Sequence, residues 1–413
     1  MKPIMPVLMC GFRPFFLLTA ASASLFMLAW LALLNGWLSS WNPAGGIVLW
    51  HAHELIFGFA AAATAGFALT AIPEFTHTTG VKGEALLPLV WLWLLARLFY
   101  LLSSFWHPAL GLWPAALCNL AFWGLLLRLI ARPLWKDPGR QHLSFVWVIT
   151  CLGVLQLGFF IAQITEGDAL PWIRAAVGAL MILIVIATSR ISMSVVNGRI
   201  EEGRPGGSAP TDGYLARPPR RYLAIFCIAT CSVSEFALGH HSVTGWAALA
   251  AAAGMFNLLN DWHVGRELLN RWALMLYTSY WLIALGYAGM GAAWLGAPLS
   301  PSAGQHLLTS GAAALAIFTV MALVARIHSG LWLDRRPWLP LCAIVLVGAS
   351  LLRALAGTSL VAKAIMPVLN LSGLLWACCF ATYLYYTWAT LTGPREDGLQ
   401  DCSAPQAKSS RDC

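Results

Sequence analysis

Apolar stretches of about twenty residues recur along the chain, each closed by a short break rich in polar residues, Gly or Pro. Twelve are read, at about 15–35, 47–71, 85–104, 110–131, 143–163, 170–192, 222–239, 243–260, 272–295, 304–326, 338–356 and 365–391. At about 1.5 Å of rise per residue, each is long enough as a helix to cross a hydrocarbon core about 30 Å thick. A lipid-embedded backbone must satisfy its own hydrogen bonds, so the pattern predicts an all-α, polytopic membrane protein whose first partner is the lipid bilayer. The first run is long enough to span and no small-residue cleavage site follows it, so it is read as a span, not a leader.

The breaks alternate in charge. All basic residues except Arg97, Arg174, Arg353 and Lys363 fall on one side when the spans are threaded back and forth. The positive-inside rule then gives cytoplasmic N- and C-termini. The longest break, residues 193–221, is rich in Arg, Gly and Pro and reads as a cytoplasmic connector between two six-helix halves, residues 1–192 and 222–391. Residues 392–413 read as a polar cytoplasmic tail. No repeat relates the halves, so an inverted-repeat transporter is not indicated.

Composition agrees: 59% of the 413 residues are hydrophobic and only 10% charged, against about 25% charged in soluble domains. The net charge of +8 follows the alternating loops and marks no nucleic-acid surface. The ten cysteines form no C-x-x-C or C-x-x-C-H, which removes thioredoxin-like chemistry and c-type haem attachment. Cys402 and Cys413, in the tail, belong to no motif.

Candidate chemistry sits where ionisable groups meet lipid. Trp50-His51-Ala52-His53-Glu54 heads the second span, and His306 stands at a similar depth in the tenth. Ionisable groups there are costly and point to function. The side gathering His51, His53 and His306 also holds His107, His240 and His241. His51 and His53, at i and i+2, point about 200° apart on a regular helix and cannot easily share one metal, whereas His51 and Glu54 share a face. Imidazole suits haem iron and copper. Arg97 and Arg353, in the third and eleventh spans, either snorkel to the interface or need an anion: Glu54, Glu235 or haem propionates. Asn119 and Gln156 are expected to bond across helices.

Several of these blocks resemble the NnrS family. They are Gly11-Phe12-Arg13-Pro14-Phe15-Phe16, the Trp50–Glu54 motif with Phe57-Gly58-Phe59, Gly66–Ala71 with Pro73, and Ala96-Arg97. Further along, His306–Gly311, Val320-Met321, His328-Ser329-Gly330 and Arg353 continue the likeness, which covers nearly the whole chain. The resemblance implies a bacterial inner-membrane protein with haem b and copper, tied to nitric oxide and nitrosative stress. It implies no settled reaction. The sequence departs from the family pattern at Thr188–Met193, Asn257, Tyr277 and Ala322-Leu323, which suggests a divergent member with one metal site altered.

The leading expectation is therefore a haem and copper protein handling nitric oxide or a similar small ligand near the periplasmic side. Its haem is expected among the second, third, tenth and eleventh spans. His51 or His53, with His306, are the expected ligands, and His328 is a further candidate metal ligand. Arg97, Arg353 and Arg13 are expected at the cofactor, Glu54 orients an imidazole or relays protons, and a respiratory-chain donor supplies electrons. Two other readings are a proton-coupled carrier for a small solute or metal, and a metal-dependent accessory protein of a respiratory complex.

Overall fold

The structure, a computed structural model, describes residues 5–106, 110–198 and 213–405. Lys2, His107, Arg199, Arg204, Lys408, Arg411 and Cys413 lie outside the described residues. Among the described residues are twelve helices long and apolar enough to cross a membrane: α1 (Phe12–Leu34), α2 (Ile47–Thr76), α3 (Gly83–Phe105), α4 (Trp113–Lys136), α5 (Leu143–Ile164), α6 (Leu170–Val196), α7 (Pro218–Leu238), α8 (Ser242–Trp262), α9 (Arg271–Trp294), α10 (Pro301–Ile327), α11 (Trp338–Leu355) and α12 (Ser359–Thr392). The described residues hold no strand, and one isolated bridge joins Leu299 to Thr358. This is a multi-pass, all-helical membrane protein.

Helix α2 is the axis of the bundle. Its most apolar window is 94% buried, against 22% for the peripheral α7. The run Ala60–Gly66 is nearly all small side chains, which lets backbones approach closely in a bundle that has no hydrophobic drive between helices. A Cβ on Gly66 would lie 2.7 Å from the ring of Phe16 in α1. Helices α9 and α10 meet in the same way, because a Cβ on Gly304 would collide with the Gly286 carbonyl oxygen.

Contacts between helix ends fix how the chain alternates. At one end, Arg13 opening α1 donates to the Gly393 carbonyl beyond α12 (2.6 Å), and His328 after α10 meets Glu74 near the end of α2 (3.3 Å). There too Arg220 at the start of α7 pairs with Asp261 at the end of α8 (2.8 Å), and Arg271 opening α9 donates to the Arg335 carbonyl (2.7 Å). At the other end, Asn35 after α1 bonds Asn370 in α12, Trp41 bonds Ser104 in α3, and the Ser300 amide bonds the Gly357 carbonyl. The first end carries the many basic residues. The second carries the starts of α2 and α10 and the end of α11, hence His51, His306 and Arg353.

Candidate functional site

Two helices depart from α geometry at this second end. Residues Glu54–Ala60 of α2 and Leu307–Ala313 of α10 are π-helical, each beginning within three residues of a histidine. Widening a turn leaves carbonyls without their usual i+4 donors, and π-turns recur at functional sites. Side chains from neighbouring helices take up those carbonyls. Arg97 donates to Phe57 (2.5 Å), Trp93 to Gly58 (3.0 Å) and Trp376 to Ser310 (3.1 Å). Gly58 has to be glycine: a Cβ there would lie 2.9 Å from Phe26, 3.1 Å from Arg97 and 3.2 Å from Glu54.

The first π-turn lets His53 and Glu54, adjacent in sequence, face the same buried interior. His53 Nδ1 lies 2.9 Å from Glu54 Oε1, and His53 Nε2 lies 3.0 Å from the Gln156 amide of α5. Gln156 Oε1 accepts from Trp123 of α4 at 2.6 Å. Because that carbonyl oxygen is taken, the Gln156 N–H donates to His53 Nε2, so the His53 proton sits on Nδ1 and points at Glu54. Glu54 Oε2 forms an ion pair with Arg97 Nε at 3.1 Å, and Arg97 also donates to Asn119 Oδ1 at 2.6 Å. The chain of contacts from Trp123 to Asn119 joins α2, α3, α4 and α5 and leaves His53 with neither ring nitrogen free. Asn119 and Gln156 do bond across helices.

His51 lies outside that network. Its ring is partly exposed and stacks on Trp30 of α1, with centroids 4.0 Å apart and an 18° interplanar angle. Its Nδ1 is buried with no hydrogen-bond partner among the described residues. His306, on α10, lies within electrostatic range of His51, and Arg353 of α11 acts on both. His306 Nδ1 sits 2.8 Å from the Ser302 carbonyl and 3.1 Å from its hydroxyl. A carbonyl only accepts, so His306 carries its proton on Nδ1 and its Nε2 lone pair is free. Arg353 donates to the same Ser302 hydroxyl at 3.3 Å and has no carboxylate within ion-pair distance among the described residues. A guanidinium left in lipid without a counter-ion costs about 3 kcal/mol or more.

The structure thus brings His51, His306 and Arg353 together and puts His53, Glu54 and Arg97 in a separate, saturated network. Arg13 and His328 lie at the opposite end. Arg13 is fully buried and bonds the Pro6 and Gly393 carbonyls (3.1 and 2.6 Å), while His328 bonds the Cys402 carbonyl (2.7 Å) and Glu74 (3.3 Å). Glu235 lies 3.8 Å from Arg174. Ser302 and Trp30 were not anticipated. Ser302 stands four residues before His306, a helical spacing visible in sequence, whereas nothing in the sequence marks Trp30. No group of three His, Cys, Asp or Glu side chains forms a metal cage among the described residues. Helices α1, α2, α6 and α10 line a partly open apolar cavity of about 50 Å³ formed by Phe16, Phe67, Leu183, Ile317 and Met321, among others. Thr64 also lines it but bonds its own helix at Ala60 (2.8 Å).

The described residues thus form a twelve-helix membrane bundle in which two π-turns stand next to His51 and His306, with Arg353 on the neighbouring helix and no carboxylate within ion-pair distance of it among the described residues. A model of the NnrS protein family matches residues 6–395, nearly the whole chain, and the chain belongs to that family. No curated protein matches it.

Proposed function

We propose that this protein acts in the response to nitric oxide from within the bacterial inner membrane. In this reading it holds a metal-bearing group, haem b with copper as a second metal, near the periplasmic side, where His51, His306 and Arg353 converge. The observation that carries the reading is chemical: two imidazoles with a nitrogen not in use stand beside a guanidinium that lacks a carboxylate. That donor set fits a metal with an anionic edge. Imidazole nitrogen suits iron and copper, and a guanidinium suits propionates through forked hydrogen bonds. When bound, such a group supplies a centre able to take a diatomic ligand or pass an electron.

The chain's own part is positioning. The Ser302 carbonyl fixes the tautomer of His306, as a metal-bound histidine requires of its second nitrogen. Trp30 holds the His51 ring in plane. The His53–Glu54–Arg97 network keeps the first π-turn open and so aims His51. The apolar cavity supports a small uncharged ligand, because its lining makes no demand for hydrogen bonds.

The test is an optical spectrum and metal analysis of detergent-purified protein beside His51→Ala, His306→Ala and Arg353→Gln. The expected result is a Soret band in the parent that shifts on adding nitric oxide, with haem lost from each histidine variant. Arg353→Gln should hold the group about ten- to hundredfold more weakly, since a charge-assisted hydrogen bond contributes about 1.5–3 kcal/mol. A colourless, metal-free parent would overturn the reading in favour of a carrier that uses the same side chains as a substrate clamp.

A further inference from the structure

The basic end of the bundle carries a second construction that the ligand site does not explain. The tail beyond α12 turns back across the ends of α1, α2 and α10, and a disulfide joins Cys402 in it to Cys10, just before α1. Cys10 is completely buried, while Cys402 is partly exposed. The rest of the attachment consists of hydrogen bonds to tail carbonyls. Arg13 takes that of Gly393 (2.6 Å) and His328 that of Cys402 (2.7 Å). The buried Arg395 side chain, itself in the tail, ties the tail internally to the Asp401 (3.0 Å) and Ser403 (2.8 Å) carbonyls and to Asp397, and reaches the bundle by donating to the His328 carbonyl (3.2 Å). Lys82, in the turn after α2, reaches the Gln400 carbonyl at 3.5 Å. Each such bond contributes only about 1 kcal/mol net. The tail residues from Pro394 to Pro405 are mostly polar and add little apolar burial, so the covalent link dominates the docking.

We propose that Cys10 and Cys402 form a thiol–disulfide exchange site whose substrates are small thiols and small disulfides, and whose state decides whether the tail is fastened over the ends of α1, α2 and α10. The asymmetry of exposure sets the order of events. A small thiolate attacks the sulfur of Cys402, the more exposed residue of the pair, the Cys10–Cys402 bond breaks, and its electron pair leaves on Cys10, which takes up a proton. A second thiolate then attacks the outer sulfur of the mixed disulfide, releasing a small disulfide and the Cys402 thiolate. The reverse direction needs only the small disulfide as oxidant, which is reduced to two thiols. Without the link the tail rests on a few hydrogen bonds, and its release uncovers the buried Arg13 and His328. The inference goes beyond the nitric oxide reading and does not depend on it.

The experiment uses the full chain in detergent, equilibrated with oxidised or with reduced glutathione. Free thiols are alkylated, the chain is mapped by mass spectrometry, and trypsin cleavage after Arg395 is timed. Oxidised glutathione should give a crosslinked Cys10–Cys402 peptide with the tail protected. Reduced glutathione should leave both cysteines alkylated and speed cleavage at least tenfold. Cys402→Ser should behave as the reduced form in both buffers, and alkylation of the chain unfolded in SDS after full reduction reports that the reagent works. Three results would overturn the proposal: both cysteines alkylated in oxidised glutathione, a crosslink that survives reduced glutathione, or a cleavage rate that ignores the redox state.

Discussion

Two histidines two residues apart divide the work between them. His53 is locked by Glu54 and Gln156, and His51 keeps a buried nitrogen without a partner. Sequence spacing shows that the two cannot easily share one metal from a regular helix, but it cannot show which is saturated, because Gln156 is 103 residues away from His53. The division predicts opposite effects of the same substitution. His53→Ala strips a partner from a buried carboxylate and a buried amide, each worth about 1–3 kcal/mol, so a loss of about 2–6 kcal/mol is expected. His51→Ala removes only a ring stack worth about 0.5–1.5 kcal/mol. Thermal unfolding in detergent should rank His53→Ala well below His51→Ala, while bound metal should rank them the other way. Equal melting temperatures would show that the network does not hold the helix.

At the scale of elements, each π-turn and the corner after α10 do specific work. The extent of α2 was legible from its apolar run, but its π-turn was not, because the carbonyls it frees are met by Trp93 and Arg97 from α3. Deleting one residue within Leu55–Phe57 should restore regular helix and swing His51 by about 100° relative to the rest of α2. Helical content by circular dichroism is expected to stay unchanged while His51 leaves Trp30 and the bound group is lost. Retention of the group would mean that the π-turn does not aim His51.

The corner between α10 and α11 is held by Asp334, which bonds Arg336 at 2.6 Å and Trp338 Nε1 at 3.0 Å. Burial raises the Asp334 carboxyl, but the Arg336 guanidinium and Trp338 indole outweigh it and hold it at about 2, below its ordinary 3.8. A depressed carboxyl stabilises the fold above its unfolded value and loses that contribution as pH falls through the folded one. Asp334→Asn should therefore melt below the parent by about 0.5–1 kcal/mol from about pH 5 upward, because Arg336 is half-exposed and screened. The gap should close toward pH 2. A gap that persists there would assign the effect to shape instead of charge.

At the scale of the whole molecule, the twelve helices lie close to the twelve apolar runs, because in lipid the length of a hydrophobic stretch and the closure of its backbone bonds leave one structural answer. The side chains that complete the site, from α1, α2, α10 and α11, could not be matched in advance, since every helix offers several faces to its neighbours. One property of the whole chain is still open to a direct test. Arg220, Arg271, Arg336 and Arg395 all lie at the end where the tail docks, while Arg97, Arg174 and Arg353 belong to the half with His51 and His306. On the positive-inside rule the tail is expected in the cytoplasm and the end with His51 and His306 in the periplasm. A reporter that fluoresces only in the cytoplasm, fused after Cys413, should be bright, and one that works only in the periplasm, fused there, should be silent. In a background lacking the other exposed cysteines, Ser300→Cys at the ligand end should label with a membrane-impermeant maleimide on intact spheroplasts. A bright periplasmic fusion together with an unlabelled Ser300→Cys would turn the molecule over and put the exchange pair, Cys10 and Cys402, on the oxidising side.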